Sequence, residues 1–363
     1  SMHSANMYYA ARFAAPDIFT FVQKRDREIL LVSQMEYERA KKESLVRDIR
    51  SVLDYGMREK LSELEDADRA LAHVLRQFFG EEQVKKIGVP RDFPAFLLDE
   101  LRFMGFSIKC TDKLIERSRE VKTAEEIVHI EKAQAACEEA MRLAMEVIKG
   151  CMVKNGILYH ERKALTSERI RGIIELRLAE LECSTERTIV AGGRQSADPH
   201  CDGSGEIYGN SPIVIDIFPK LKREKYYADM TRTFLAGTPS REFKEMYASV
   251  LMAQNTALKM IKAGVTGKAI HDAVCDSFAE DGYKTLRDGK ISSGFLHSTG
   301  HGVGLDIHEG PGLNEIGGEL ETGNVITVEP GLYDPDAGGV RFEDLVVVTR
   351  KGCRNLTRFP KDW

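Results

Sequence analysis

Residues 213–234 read IVIDIFPKLKREKYYADMTRTF, two apolar runs around a charged centre. The first run, 213–218, is apolar on both faces except at Asp216, the pattern of a strand covered on both sides. An ionised carboxylate in such a strand is costly unless it is paired, hydrogen-bonded or bound to a cation. Asp216 therefore reads either as a cation ligand or as a buried acid satisfied by an arginine or by backbone amides. In the second run, 226–234, strand alternation puts Asp229, Thr231 and Thr233 on one face, with Ala228, Met230, Arg232 and Phe234 on the other. The charged residues 220–225 are the turn between the two. Such a hairpin sets Asp216 and Asp229 side by side.

Three histidines follow, at 297, 301 and 308, within GFLHSTGHGVGLDIHEGP (294–311). The step of four from His297 to His301 would suit a helix, but glycines at 300, 302 and 304 disfavour one. An extended segment is expected instead, its glycines letting backbone and imidazole approach a crowded site. Glu329 ends a strand at 325–329, where Pro330 and Gly331 break the run. Glu343 lies in 339–349, which reads as one apolar strand with Arg341, Glu343 and Leu345 on a shared face. Arg341 would then stand beside Glu343, to orient it or screen its charge. The alternative is a surface arginine–glutamate pair worth under about 1 kcal/mol. In order, these groups are carboxylate, carboxylate, imidazole, carboxylate, carboxylate. Four acids can bridge two hard cations, and one imidazole favours manganese, cobalt, iron or zinc over magnesium or calcium. Two such ions acidify a shared water and polarise a carbonyl, which is hydrolysis without a protein nucleophile.

The 363 residues suffice for one large domain or two ordinary ones. With 42% hydrophobic and 30% charged residues the chain is globular, and a formal charge of −5 gives no reason to expect nucleic acid. No apolar run approaches the roughly 18 residues of a membrane span, and no signal peptide is evident, so a cytoplasmic protein is expected. Seven scattered cysteines, none in a C-x-x-C pair, suit reduced thiols. Strands are expected at 7–13, 18–22, 28–32, 84–89 and 106–110, with helices at 35–54, 62–79 and 95–104. That alternation makes an α/β domain over 1–118. A charged stretch at 117–122 is the expected boundary. Thr123-Ala-Glu-Glu126 is a capping box opening a long helix to about residue 149. Further helices are expected at 166–181, 240–263 and 267–280. The second domain, 119–363, reads as α+β with a mainly antiparallel sheet.

Asp216, Asp229 in ADMTRTF, His301 in GHGVGLDIHE, Glu329 in VEPGLY and Glu343 in GGVRFED together resemble the pita-bread metallopeptidases of the creatinase and methionine aminopeptidase superfamily. Within it the chain is most similar to Xaa-Pro dipeptidases and Xaa-Pro aminopeptidases. The resemblance covers nearly the whole chain and implies a creatinase-type N-terminal domain before the catalytic one. It implies that Asp229 and Glu343 bridge two metal ions, that Asp216 completes one and that His301 and Glu329 complete the other. The ions are manganese or cobalt foremost, with zinc or iron as alternatives. Glu329 becomes the proton shuttle. His200 contacts substrate, His308 supports the tetrahedral intermediate, His297 lines the proline pocket and Arg341 supports the acids. The implied substrates are short proline-containing peptides, and the implied assembly is a homodimer. Phe218 stands where the family has glycine, the hairpin is two residues longer than usual, and Gly312 stands where dipeptidases often carry a carboxylate-binding arginine. Two other functions compete: a peptide-binding module without catalysis, and a creatinase-like hydrolase of a small C–N bond.

Overall fold

A computed structural model describes residues 4–25, 27–111, 113–288 and 291–362. The chain divides into two units, Ser1–Arg119 and Glu120–Trp363. Among the described residues no helix is long and apolar enough to cross a membrane.

In the first unit the strand Arg27–Val32 pairs antiparallel with Thr20–Lys24 and parallel with Asp48–Ser51. Alternation along Arg27–Val32 feeds two cores. Ile29 and Leu31 join Val74, Leu75 and Phe78, whereas Leu30 and Val32 join Phe13, Ala40 and Val46. Lys86–Val89 and Ser107–Cys110 form a second, parallel pair. Helices on strands make this region α/β, as expected.

Three expectations fail here, each for a local reason. Residues 7–13 lie mostly in a helix, Ala5–Ala11, because the Ser4 hydroxyl caps it and alanine favours helix where two tyrosines suggested strand. The helix expected at 35–54 covers only Tyr37–Glu43, and the chain then joins the sheet as Asp48–Ser51. The helix expected at 62–79 is two, Met57–Leu64 and Ala67–Glu81. Glu65 turns left-handed (φ 52°), and the Asp66 carboxylate caps the second by accepting from Asp68 and Arg69 N–H.

The second unit opens with α1 (Ala124–Lys149), whose capping box is formed: Thr123 Oγ1 accepts from Glu126 N, and the Glu126 carboxylate accepts from Thr123 N at 2.8 Å. Helix α2 (Ser167–Glu180) packs beside it. Three antiparallel strands follow in order, β1 (Thr188–Gly192), β2 (Pro212–Ile217) and β3 (Met230–Leu235). Helices α3 (Arg241–Met260) and α4 (Gly267–Glu280) share a core with the strands that come next. Those are β4 (Gly300–Gly302), β5 (Glu309–Leu313), β6 (Val325–Val328), the hairpin β7 (Gly331–Asp334) and β8 (Gly338–Arg341), then β9 (Asp344–Val348) and β10 (Cys353–Asn355). The larger sheet runs β5-β4-β6-β9-β10, antiparallel throughout.

The single strand expected over 339–349 is therefore two. Strand β8 pairs with β7 and β9 with β6, and the chain changes partners at Phe342 and Glu343. That switch leaves the backbone of Phe342 and Glu343 outside both ladders. A backbone bond from Glu343 N to Thr231 O (3.1 Å) and a bond from Arg341 N to the Thr233 hydroxyl (3.0 Å) tie this corner to β3. On the far face of β3 the buried Arg232 guanidinium donates to the carbonyls of Glu343, Phe359 and Pro360 and to Asp344 Oδ1 (2.9 Å). The last residues of the chain are thus fastened to the sheet that carries the acids.

Candidate active site

Strands β2 and β3 pair with Asp216 opposite Thr231, so Asp229, just before β3, is its diagonal neighbour on the same face. The turn between them holds its shape through Lys220–Leu221, which pairs with Cys183–Ser184. Strand β4 brings His301 in from the other sheet as the extended, bulged segment its glycines imply. A Cβ on Gly300 would lie 2.1 Å from Thr327 O and one on Gly302 2.2 Å from Gly310 O, so only glycine lets these backbones approach. Glu329 follows β6 directly.

One cleft of about 400 Å³ is lined by all nine residues singled out in the sequence: His200, Asp216, Asp229, His297, His301, His308, Glu329, Arg341 and Glu343. Its walls also include Arg187, Ile189, Pro199, Phe218 and Ile307. Ligand atoms of Asp229, His301 and Glu343 lie within 4.8 Å of one another. His301 Nε2 is 3.2 Å from Glu329 Oε1 and 3.6 Å from Asp229 Oδ2. His301 Nδ1 donates to the Gly302 carbonyl (3.1 Å), which aims Nε2 at the acids. His308 packs edge-on against His301, ring centroids 4.3 Å apart.

Burial pushes Asp229 well above the usual carboxylate range, and the negative charges of Glu343, Asp216 and Glu329 push it further. Burial also raises Glu343 strongly, with Glu329 and Asp216 adding to it. Glu329 behaves oppositely. Burial would raise it, but the hydrogen bond and charge of His301 bring it down to about 2. Burial would lower His301, but the hydrogen bond and charge of Glu329, with the Gly302 carbonyl and the charge of Asp216, together raise it. Two adjoining acids that resist ionisation are a site short of positive charge.

Arg341 screens the charge of Glu343, as expected, but does not orient it. Its guanidinium meets Asp216 Oδ2 at 2.7 Å, not Glu343, because the break after β8 turns Glu343 toward Thr231, whose hydroxyl donates to it at 2.8 Å. Arg341 Nη1 also donates to the Tyr333 hydroxyl (2.9 Å), and that hydroxyl donates to His297 Nε2 (2.7 Å). With Nδ1–H on the Ser298 carbonyl (2.8 Å), His297 is a neutral imidazole, and burial lowers it to about 4. Tyr333, Thr231 and Thr327 escaped the sequence reading. Thr231 could have been found, since it shares the face of Asp229; nothing local marks Tyr333.

Metallopeptidase family M24 matches residues 128–350. The chain belongs to this family. It is 31% identical over 337 residues to a Xaa-Pro dipeptidase of Pyrococcus horikoshii, covering 92% of this chain and 84% of that one. Among solved structures, an X-Pro aminopeptidase from Thermotoga maritima is 28% identical with a TM-score of 0.81, covering 99% of this chain and 93% of that one. A prolidase from Pyrococcus furiosus is also 28% identical, with a TM-score of 0.79 over 98% and 94% of the two chains. The fold is the pita-bread fold, with an α/β region before an antiparallel catalytic unit. Membership implies divalent metal ions, and the residues present fit them. Asp216 Oδ1, Asp229 Oδ1 and Glu343 Oε1 are buried without a hydrogen-bond partner, three acceptors of the kind a cation satisfies.

Proposed function

We propose that the chain is a dinuclear metal-dependent exopeptidase hydrolysing the N-terminal Xaa-Pro bond of dipeptides or short peptides. One observation carries the reading: the partnerless oxygens of Asp216, Asp229 and Glu343 converge in one cleft with His301 Nε2, which faces the acids. Asp216, Asp229 and Glu343, together with His301 and Glu329, would hold the two ions. Bound there, the ions lower the pKa of a water and polarise the scissile carbonyl. Manganese or cobalt is expected before zinc or iron, since the donor set is mostly oxygen with one imidazole.

The chain's own groups supply the rest. Glu329, held by Thr327 Oγ1 (3.2 Å) and His301, is placed to take a proton from the water and return it to the leaving proline nitrogen. His200 and His308 line the same cleft and can donate to a carbonyl oxygen as it gains charge. Neutral His297, against Phe295 and Tyr333, offers an uncharged wall for the proline ring. Arg341 fixes the direction of Asp216. At Gly312 the space for a Cβ is filled by Asn314 Nδ2 at 2.4 Å, so this position offers no cation to a dipeptide carboxylate. Short proline-containing peptides are accordingly the substrates, tripeptides as well as dipeptides. A homodimer is the expected assembly, which sedimentation would check.

The test is a panel of Xaa-Pro dipeptides, Xaa-Pro tripeptides and Xaa-Ala controls, assayed on metal-depleted protein before and after manganese or cobalt. Turnover that depends on metal and on proline, with tripeptides at least matching dipeptides, is expected. No turnover with any divalent ion would overturn the reading.

A further inference from the structure

Helix α3 turns an apolar face to the core through Met246, Val250, Ala253 and Ala257, and Gln254 is buried among them with no exposed surface. Its Nε2 donates to two carbonyls, Val328 O at 2.8 Å and Phe342 O at 3.2 Å. Two carbonyls cannot donate, so the amide orientation is fixed with nitrogen toward them. Its Oε1 has no hydrogen-bond partner. A polar side chain in an apolar face, half satisfied, is poor for stability when leucine or methionine could fill the space.

The two carbonyls explain its presence. Val328 is the last residue of β6 and directly precedes Glu329; Phe342 lies in the gap between β8 and β9 and directly precedes Glu343. Where strand ladders end, backbone carbonyls need other partners. One amide nitrogen here ties together the two chain segments that deliver two of the four acids. The β6–β9 ladder stops at the pair Val328–Asp344, and Gln254 Nε2 extends the tie past it to Phe342.

Resting on the metal-site reading above, we propose that Gln254 is a positioning residue that sets the spacing of the Glu329 and Glu343 carboxylates and so the affinity of the cleft for divalent ions. It touches neither substrate nor ion. Its action passes through the two peptide units it clamps, as partners behind metal ligands commonly act.

Gln254→Met keeps length and volume and removes the donor. Manganese titration calorimetry on the full chain should show affinity weakened by about 10- to 100-fold. The turnover number should fall, while KM for a Xaa-Pro tripeptide at saturating metal stays near that of the unsubstituted chain. Val250→Ala, in the same helix face, is the control: it should lower the melting temperature without moving metal affinity. Unchanged manganese affinity in Gln254→Met would overturn the proposal. So would an equal loss in Val250→Ala, which would make the effect one of general stability. If Gln254→Met does not fold, Gln254→Asn, whose amide reaches one carbonyl at most, takes the same measurement; failure of both to fold would also overturn it, making Gln254 a residue of folding. If the unsubstituted chain binds no divalent ion, the underlying metal-site reading fails and takes this inference with it.

Discussion

Asp229 is a side chain in a costly environment, and its substitution should be informative. Its carboxyl is raised by burial and by three neighbouring acids, so in metal-free protein ionising it opposes folding. A raised folded-state value means that its contribution is most favourable below the ordinary carboxylate range, near 4, and is lost as pH rises. Asp229→Asn removes that charge while keeping the shape. We expect metal-free Asp229→Asn to melt above metal-free wild type at pH 7, yet to lose metal-dependent turnover. Melting curves with and without chelator check both halves, and a variant less stable than its metal-free parent would contradict the charge argument. Tyr333 supplies a second case. Tyr333→Phe leaves His297 Nε2 without the hydroxyl that satisfies it and takes one acceptor from Arg341. A loss of about 1–3 kcal/mol in urea unfolding is expected, together with weaker turnover. Turnover equal to wild type would exclude the hydroxyl from ordering the site.

In the second unit the helix starts were legible because they carry local chemistry, whereas in the first unit 35–54 and 62–79 were misjudged. Thr123, Thr166, Ser240 and Thr266 each accept a backbone N–H from the first turn of their helices, and all four begin within a residue of where the sequence places them. Thr123→Ala should cost about 1 kcal/mol, a range of 0.5–2 being usual for such caps, and calorimetry would show it as a lower melting temperature. Where an outcome depended on distant partners, the sequence said less. Residues 48–51 are strand because Arg27–Val32 offers an edge, and the run 339–349 divides because its halves meet different neighbours. The candidate site shows the same division. Asp216, Asp229, His301, Glu329 and Glu343 were visible because each lies in a strand-like or glycine-rich run and together they match the family's order of acids and imidazole. The pairing of Arg341 with Asp216, across 125 positions, was not, because nothing along the chain encodes which acid an arginine will meet.

For the whole molecule, ions bound only by the folded state should raise its stability by mass action, about 2.7 kcal/mol at a hundredfold excess over the dissociation constant. A melting temperature indifferent to manganese would argue against a preformed site. Acid should act in the first unit as well. In the first unit Asp48 is held below its ordinary range mainly by its hydrogen bond to Arg50, and Glu82 is lowered, despite burial, by Lys24 and Arg50. Depressed folded-state values contribute stability above about pH 4 that disappears as pH falls through them. Arg50→Met should therefore flatten the acid limb of a stability–pH curve; an identical limb would dismiss the cluster. A last consequence follows from the guanidinium of Arg232, which is locked onto Phe359 and Pro360. Exopeptidase trimming from the carboxyl end, or a truncated expression product ending at residue 358, would strip the cap from a buried cation. Such shortened chains should accumulate as aggregates in the insoluble fraction.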